Sequence, residues 1–507
     1  LLLSTMATGL LLLLSLSTTV YCSSKYRVLS IVPRDDFELE KLRALAEKYP
    51  QDVADFWLLP NSVNEMSHVM ASPGSALEKM LGDWNITYNT INDDVQKDLI
   101  LNSALFKKRA KMLEGVRRKD DLSLPFGALP LGAYHGYIPI TDSMQRMADS
   151  SRGLAKYITI GTTHEGRPIS GLKVGFDDGK KDVVILDAGI HAREWATVHT
   201  ALYFINQLLN PAADDQVKEY VNNMVIYVLP VLNPDGYEYT RVDETNPKYR
   251  MWRKNRAREL CSTSIEGQKR CCTGVDLNRN FDFQFGAIGS SRYICSEIFH
   301  GPFAFSEPET VAIRDLFSSL KGRIRAYVTL HSYSQLFIHS YSHREKAYPR
   351  EIDDIRRVAS TAVKEIEKMY GTKYQFGTGP EIIYGFAGGS TDWATEKIGV
   401  KYSYTIELRP LYTAFNGFVM RPNELIPTAR ETWNGVRVVL DAVIREQQLR
   451  VRKTITTTIT MAPPTIPPSQ CLDIQPGCAS WIAASPQLCS TNPASMRRDC
   501  AKTCRFC

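Results

Sequence analysis

The feature that most constrains this chain is an apolar run that stops at a glycine and hands over to a histidine. It lies in Asp182-Val-Val-Ile-Leu-Asp-Ala-Gly-Ile-His-Ala-Arg-Glu-Trp195. Val183 to Leu186 reads as a buried strand, which needs cover on both faces of its sheet. Gly189 breaks the run and delivers His191 and Glu194 at the head of a helical pattern. An imidazole nitrogen and a carboxylate oxygen three residues apart can meet at one point, as a zinc ion with bonds of about 2.0–2.2 Å requires. The pair alone is a weak signal, because short motifs recur by chance.

The surrounding residues supply the cover. Over 134–450, strands alternate with helices, the signature of an α/β domain with a mixed central sheet flanked by helices. Strands are expected at 157–160, 170–174, 183–186, 225–229, 324–330 and 402–408, and helices at 196–209, 309–320, 352–370 and 428–446. Ser306-Glu-Pro-Glu309 predicts a capping box with proline in the first turn.

The chain's 507 residues exceed one ordinary core. The net charge of +6 is spread thinly, with no run of five basic residues, so nucleic acid is not an expected partner. Met6 is the expected start. Residues 6–24 carry a short apolar core that reads as a signal peptide, and no later stretch predicts a transmembrane segment. A secreted, extracellular protein follows as the expectation. The eleven cysteines agree: beyond Cys22, four cluster at 261, 271, 272 and 295, and six lie at 471, 478, 489, 500, 504 and 507. Even counts in separate clusters imply separate disulfide sets formed in an oxidising compartment.

Residues 25–118 begin as a small α+β unit of β-α-β-β-α-β order. Residues 119–133 are a Pro- and Gly-rich connector beginning at the basic Arg117-Arg-Lys119, which suggests a protease-sensitive link. Residues 451–470 form a Thr/Pro linker expected to be stiff and extended. The segment 471–507 is too short to fold on a core alone and needs its disulfides.

Polar residues recur at the carboxyl ends of the predicted strands, where open α/β sheets place their sites. His191 follows 183–186, His331 ends 324–330, and Glu407 ends 402–406. His331 offers a third zinc ligand and leaves a fourth position open. Arg253 and Arg279 are candidates for clamping an anionic oxygen. A lone histidine after a strand is usually structural, and a lone glutamate is usually ion-paired, here with Arg409 as the candidate partner. The joint placement is what argues against these bland readings.

His191-Ala-Arg-Glu-Trp195, Trp252-Arg-Lys254, Val275-Asp-Leu-Asn-Arg-Asn280, Leu330-His-Ser-Tyr-Ser-Gln335, Ile383-Tyr-Gly-Phe-Ala-Gly-Gly-Ser-Thr-Asp-Trp393 and Tyr404-Thr-Ile-Glu-Leu-Arg409 resemble the zinc carboxypeptidases of the pancreatic A/B type. The resemblance covers roughly 134–450. Residues 25–118 resemble that family's activation propeptide, and 471–507 resemble an ShK-toxin-like (ShKT) domain. The resemblance implies one Zn2+ held by His191, Glu194 and His331, with Asp276 orienting His191. It implies Glu407 as general base and proton carrier, and Arg253 as stabiliser of the tetrahedral oxyanion. Asn278, Arg279 and Tyr384 would bind the substrate's terminal carboxylate, and Arg193 and Tyr333 would touch residues further from the end. The implied partners are peptide and protein C-termini and an activating trypsin-like protease; no partner is implied for the tail.

The resemblance also pairs Cys272 with Cys295, which leaves Cys261 with Cys271. In the tail it suggests Cys471–Cys507, Cys478–Cys500 and Cys489–Cys504. Where B-type members carry an acid, this chain has Thr391, so neutral aliphatic or aromatic C-terminal residues are expected; Gly379 and Ala387 would leave the pocket roomy. Pro410 replaces the usual aspartate, so the Arg409–Pro410 bond is predicted cis. The Lys-Tyr pair of channel-blocking toxins is replaced by Ala494 and Ser495. Two rival readings stay open here: a catalytically dead binding protein on the same scaffold, and a zinc deacylase. The intact set His191, Glu194, His331, Arg253 and Glu407 argues against the first, and the Asn278-Arg279 pair against the second.

Overall fold

A computed structural model describes residues 25–117, 127–263, 269–414, 416–461 and 472–506. The expected signal peptide, Arg118, residues 119–126 of the connector, residues 462–470 of the linker, and Cys471 and Cys507 with their expected bridge lie outside the described residues.

The N-terminal unit runs β1 (Arg27–Ile31), α1 (Asp36–Lys48), β2 (Asp55–Leu58), β3 (Ser67–Ala71), α2 (Leu77–Asp83) and β4 (Tyr88–Asn92), the order read from the sequence. The strands form an antiparallel sheet in the order β2-β3-β1-β4. Asp35 caps α1 by accepting from the Glu38 amide at 2.9 Å. Leu42, Leu45 and Ala46 of α1 meet Leu29, Ile31, Phe56 and Val69, which gives the unit a core of its own. Helix α3 (Val95–Arg117) follows, and its Asn102 Nδ2 donates to the Met420 carbonyl at 3.0 Å.

The large unit opens with α4 (Tyr137–Ser150), β5 (Ala155–Thr162), β6 (Pro168–Val174), β7 (Asp182–Ala188), α5 (Trp195–Leu208), α6 (Asp215–Asn223) and β8 (Met224–Leu229). Short helices α7 (Pro234–Thr240) and α8 (Pro247–Arg250) lead to a hairpin, β9 (Leu260–Thr263) and β10 (Lys269–Cys272), bridged by Cys261–Cys271. Then come α9 (Pro308–Ser319), β11 (Ile324–Ser332), β12 (Leu336–His339), α10 (Ile352–Tyr370), β13 (Gln375–Gly377), the short α11 (Gly379–Ile382) and α12 (Ser390–Trp393), β14 (Tyr402–Leu408) and α13 (Leu425–Met461).

Eight strands form one mixed sheet in the order β13-β12-β14-β11-β7-β8-β6-β5. Its centre, β14-β11-β7-β8, is parallel. Strand β7 shows why its sequence is apolar throughout. Val184, Leu186 and Ala188 enter the core beneath α5 and α13, while Val183 and Ile185 enter the core on the other face, with Phe317 and Trp393. Successive side chains alternate faces, and both faces are covered.

Two expectations need correction, and one bland reading falls. The linker is not extended over 453–461: α13 continues to Met461, well beyond the predicted 428–446. After Pro427 the next proline is Pro463, so nothing in the sequence breaks the helix earlier. The capping box is absent: Glu307 is the N-cap residue of α9, and Ser306 donates to its Oε1 at 2.7 Å, while Pro308 does occupy the first turn. Arg409 does not pair with Glu407 but with Glu431, through Nε at 2.7 Å.

The Arg409–Pro410 bond is cis, as are Ser332–Tyr333 and Ser340–Tyr341. Cys272–Cys295 is bridged. The tail has two bridges among its described residues, Cys478–Cys500 and Cys489–Cys504, around a core of Cys478, Met496 and Cys500. No helix among the described residues is long and apolar enough to cross a membrane.

Candidate active site

The register of the parallel centre assembles the site. His331 on β11 stands directly beside Glu407 on β14, and Leu330 stands beside Ala188, the last residue of β7. Three residues past β7 lies His191. The turn between requires Gly189: its φ is +64°, and a Cβ there would meet Val198 at 3.0 Å and the Pro230 carbonyl at 3.1 Å. Glu194 is the N-cap of α5, with its carboxylate turned back toward His191.

His191 Nδ1 lies 2.9 Å from Glu194 Oε1 and 3.1 Å from His331 Nδ1, and His331 Nδ1 lies 3.3 Å from Glu194 Oε2. All three residues are buried. Tetrahedral zinc with bonds of about 2.0–2.2 Å separates its ligands by roughly 3.4 Å, so these donors fit the ion with a small outward adjustment. The protonation pattern fits as well. His191 Nε2 donates to Asp276 Oδ1 at 3.1 Å, which leaves the Nδ1 lone pair for a metal. His331 also turns its Nδ1 toward His191 Nδ1 and the Glu194 carboxylate, a convergent donor set that a cation would fit.

Asp276 is held ionised well below the usual carboxylate range: burial opposes this, but Arg253, Arg279 and His191 outweigh it. Arg253 donates to Asp276 Oδ2 through Nε at 3.1 Å and Nη2 at 2.9 Å. Burial pushes Glu407 up to about 8, with nearby Glu194 adding to the rise and His331 opposing it. A zinc ion beside it would pull that value back down, toward the ionised form that a base needs.

His191, Glu194, Arg253, Asn278, Arg279, His331, Tyr333, Tyr384 and Glu407 line one cavity. Arg279 sits at its polar end, with Nε on the Gly289 carbonyl at 2.6 Å and Nη1 on the Asn278 carbonyl at 3.0 Å. Its Nη2 is buried without a partner. Asn278 Oδ1 accepts the Ser390 amide at 3.0 Å, which fixes that side chain. Ile338, Ile383, Phe386 and Thr405 complete the wall, and Glu194 and Glu407 are the only carboxylates among the lining residues. Thr391 is buried one layer back, its hydroxyl 3.5 Å from that of Thr405. Gly379 and Ala387 do not line the cavity; a Cβ at Gly379 would press on the Tyr384 carbonyl at 2.8 Å.

The profile of the zinc carboxypeptidase family matches residues 140–435, more than half of the chain. The chain belongs to the zinc carboxypeptidases. The carboxypeptidase activation peptide matches residues 29–100, and an ShK domain-like profile matches 470–507. Carboxypeptidase A2 of Mus musculus is 34% identical over 439 residues, covering 85% of this chain and 98% of that protein. Carboxypeptidase B of Astacus astacus is 38% identical over 312 residues, covering 61% of this chain and 97% of its own length. The crystal structure of thrombin activatable fibrinolysis inhibitor superposes with a TM-score of 0.69 at 27% identity, covering 83% of this chain and 99% of that one. Zinc carboxypeptidases use one catalytic zinc ion, and this one is a zymogen that carries its activation peptide.

That peptide covers the site of this zinc carboxypeptidase. Trp57 and Leu58 of β2 line the cavity alongside the zinc ligands. Asp55 Oδ1 accepts from Arg193 Nη1 at 2.8 Å, and the Phe56 carbonyl accepts from Arg193 Nη2 at 3.2 Å. Arg193 is therefore buried beneath the propeptide and outside the cavity lining. His68 Nδ1 meets the Tyr333 hydroxyl at 3.0 Å. Trp57 packs edge-on against Phe418, ring centroids 5.3 Å apart. Glu297 lies 4.0 Å from Arg193, and neither of its oxygens has a hydrogen-bond partner. The contacts of Asp55, Trp57, His68, Glu297 and Phe418 were not legible from sequence, because each depends on how one folded unit docks on another.

Proposed function

We propose that the activated enzyme removes single residues from free C-termini of peptides and proteins, preferring neutral aliphatic or aromatic end residues, and that it acts outside the cell. One observation carries the exopeptidase reading: the buried, unpartnered Nη2 of Arg279, beside Asn278 and Tyr384 in the cavity that holds the zinc ligands. A buried guanidinium nitrogen without an acceptor calls for an anion, and a planar carboxylate matches its fork. In a peptide only the chain end, or an acidic side chain, carries that group. The cavity wall of Ile338, Ile383, Phe386 and Thr405 offers no charge to a lysine or arginine side chain, which supports the neutral preference.

His191, Glu194 and His331 would hold the zinc ion, which when bound polarises the scissile carbonyl and acidifies water. Arg279, Asn278 and Tyr384 would fix the terminal carboxylate, so that the last peptide bond lies near Glu407. Glu407 would take a proton from the attacking water and deliver it to the departing amine. Arg253, held by Asp276, would face the oxyanion as the carbonyl becomes tetrahedral. Arg193 and Tyr333 would contact upstream residues once Asp55 and His68 have left, and Thr391 would shape the side-chain pocket from behind Thr405. Activation would follow cleavage at Arg117–Lys119 by a trypsin-like protease. The disulfides and the apolar stretch within 6–24 support secretion.

The test is a panel of peptides that differ only in their last residue, offered before and after trypsin treatment. Release of leucine or phenylalanine at least about tenfold faster than lysine or arginine is the expected result. Preference for basic ends would overturn the pocket assignment.

A further inference from the structure

A second cluster of metal-ligating side chains lies outside the catalytic cavity. His164, Glu307 and Glu309 each place a ligand atom within 4.8 Å of the others. His164 sits in the turn between β5 and β6 with 26% of its side chain exposed, and both glutamates are buried at the head of α9.

Asn255 shows which carboxylate oxygens are already satisfied. Its Oδ1 accepts the amides of Val275 at 2.8 Å and Ala257 at 3.2 Å, which fixes which way the side-chain amide faces. Its Nδ2 therefore donates to Glu307 Oε2 at 2.7 Å and to Glu309 Oε2 at 3.0 Å. Both Oε2 atoms are acceptors, and Glu307 Oε1 accepts from Ser306 at 2.7 Å. Only Glu309 Oε1 is left, buried and without a hydrogen-bond partner. Burial raises the proton affinity of Glu309, to about 7, and a proton there would sit on an oxygen that has no hydrogen-bond partner. A cation satisfies the bare oxygen and removes the need for the proton.

The spacing agrees. His164 Nε2 lies 3.0 Å from Glu307 Oε2, within the 2.9–3.3 Å range of the catalytic donor set. One imidazole with two carboxylates suits zinc better than calcium or magnesium, which favour all-oxygen shells.

We propose that His164, Glu307 and Glu309 bind a second, non-catalytic zinc ion that fastens the β5–β6 turn to the head of α9. Asn255 positions the two carboxylates for it. The partly exposed His164 leaves a route for the ion from solvent.

The test counts zinc on the intact zymogen. Wild type, His164→Ala and Glu309→Gln are stripped with chelator, dialysed against buffered free zinc, and assayed for bound metal by elemental mass spectrometry. The Glu309→Gln substitution would keep an acceptor for Asn255 and lose only the charge, and His164 lies on a turn, so both variants should fold and keep trypsin-activated peptidase activity. Two equivalents on wild type and one on each variant are expected. The second equivalent should raise the melting temperature of wild type only. One equivalent on wild type, or two on both variants, would overturn the proposal, and neither outcome would touch the catalytic assignment.

Discussion

Asp55→Asn tests how the propeptide is held. Asp55 is 0% and Arg193 1% exposed, and their ion pair at 2.8 Å crosses the propeptide boundary. Removing one partner of a buried pair costs about 3–5 kcal/mol, because the other charge stays buried. Arg193 would keep the Phe56 carbonyl at 3.2 Å, the Met251 carbonyl at 3.3 Å and the Phe418 ring at 4.3 Å. Glu297, 4.0 Å away, could also ionise and take over as counter-ion. The lower end of the range, about 3 kcal/mol, therefore applies, and it shifts the docked–undocked equilibrium by about two decades. While the docked form still dominates, activity of the uncleaved zymogen on a small chromogenic substrate should rise roughly 100-fold. The assay runs with serine-protease inhibitors present and with chain integrity checked by mass spectrometry. Asp55→Asn combined with Glu297→Gln should rise further, because the substitute counter-ion is gone. Activity within about twofold of wild type, at an unchanged melting temperature, would refute the reasoning.

Burial, reinforced by Asp55, pushes Glu297 up to about 7 from 4.5, against the pull of Lys254 and Arg193. The propeptide residues Ala46, Ala54 and Phe56 share the cavity beside Glu297, and Asp55 adds charge repulsion, so docking raises its proton affinity; docking is therefore strongest at low pH and weakens as pH rises through about 7. Zymogen activity, corrected for the mature enzyme's own pH profile, should climb over that window, and Glu297→Gln should flatten the climb. Glu407→Gln should lower kcat by at least about 10³-fold while bound zinc stays at the wild-type level; loss of zinc would instead make Glu407 a structural residue. Thr391→Asp should shift preference toward lysine or arginine ends, read as the ratio of kcat/KM values on paired peptides, and an unchanged ratio would place the specificity wall elsewhere.

Much of the catalytic architecture was legible because it depends on strands. Apolar runs with both faces buried announce themselves, and the residue after each run falls at a sheet edge whatever the details of packing. His191, His331 and Glu407 could be grouped on that ground before any register was known. Thr391, which stands where B-type members carry an acid, lies behind Thr405, because a helix start such as Ser390–Trp393 can set its side chains in either layer. Short strands such as Leu336–His339 and Gln375–Gly377 carry too few residues for a period to show. The continuation of α13 ran against composition: threonine- and isoleucine-rich sequence suggests extended chain, but adding a residue to a helix already under way costs far less than starting one. A propeptide over the cleft was expected, but the contacts that hold it there were invisible for another reason. Asp55, Trp57 and His68 are ordinary residues of a small sheet until that sheet meets Arg193, Phe418 and Tyr333.

The most direct measurement is end-group discrimination by the trypsin-activated enzyme. A peptide ending in phenylalanine is presented with a free carboxylate and, separately, as the C-terminal amide, and loss of the last residue is followed by mass spectrometry with and without a zinc chelator. A zinc enzyme that reads the chain end through Arg279 should process the free acid, leave the amide essentially untouched, and lose activity on chelation until zinc is restored. Equal cleavage of acid and amide, or activity indifferent to the chelator, would contradict the account.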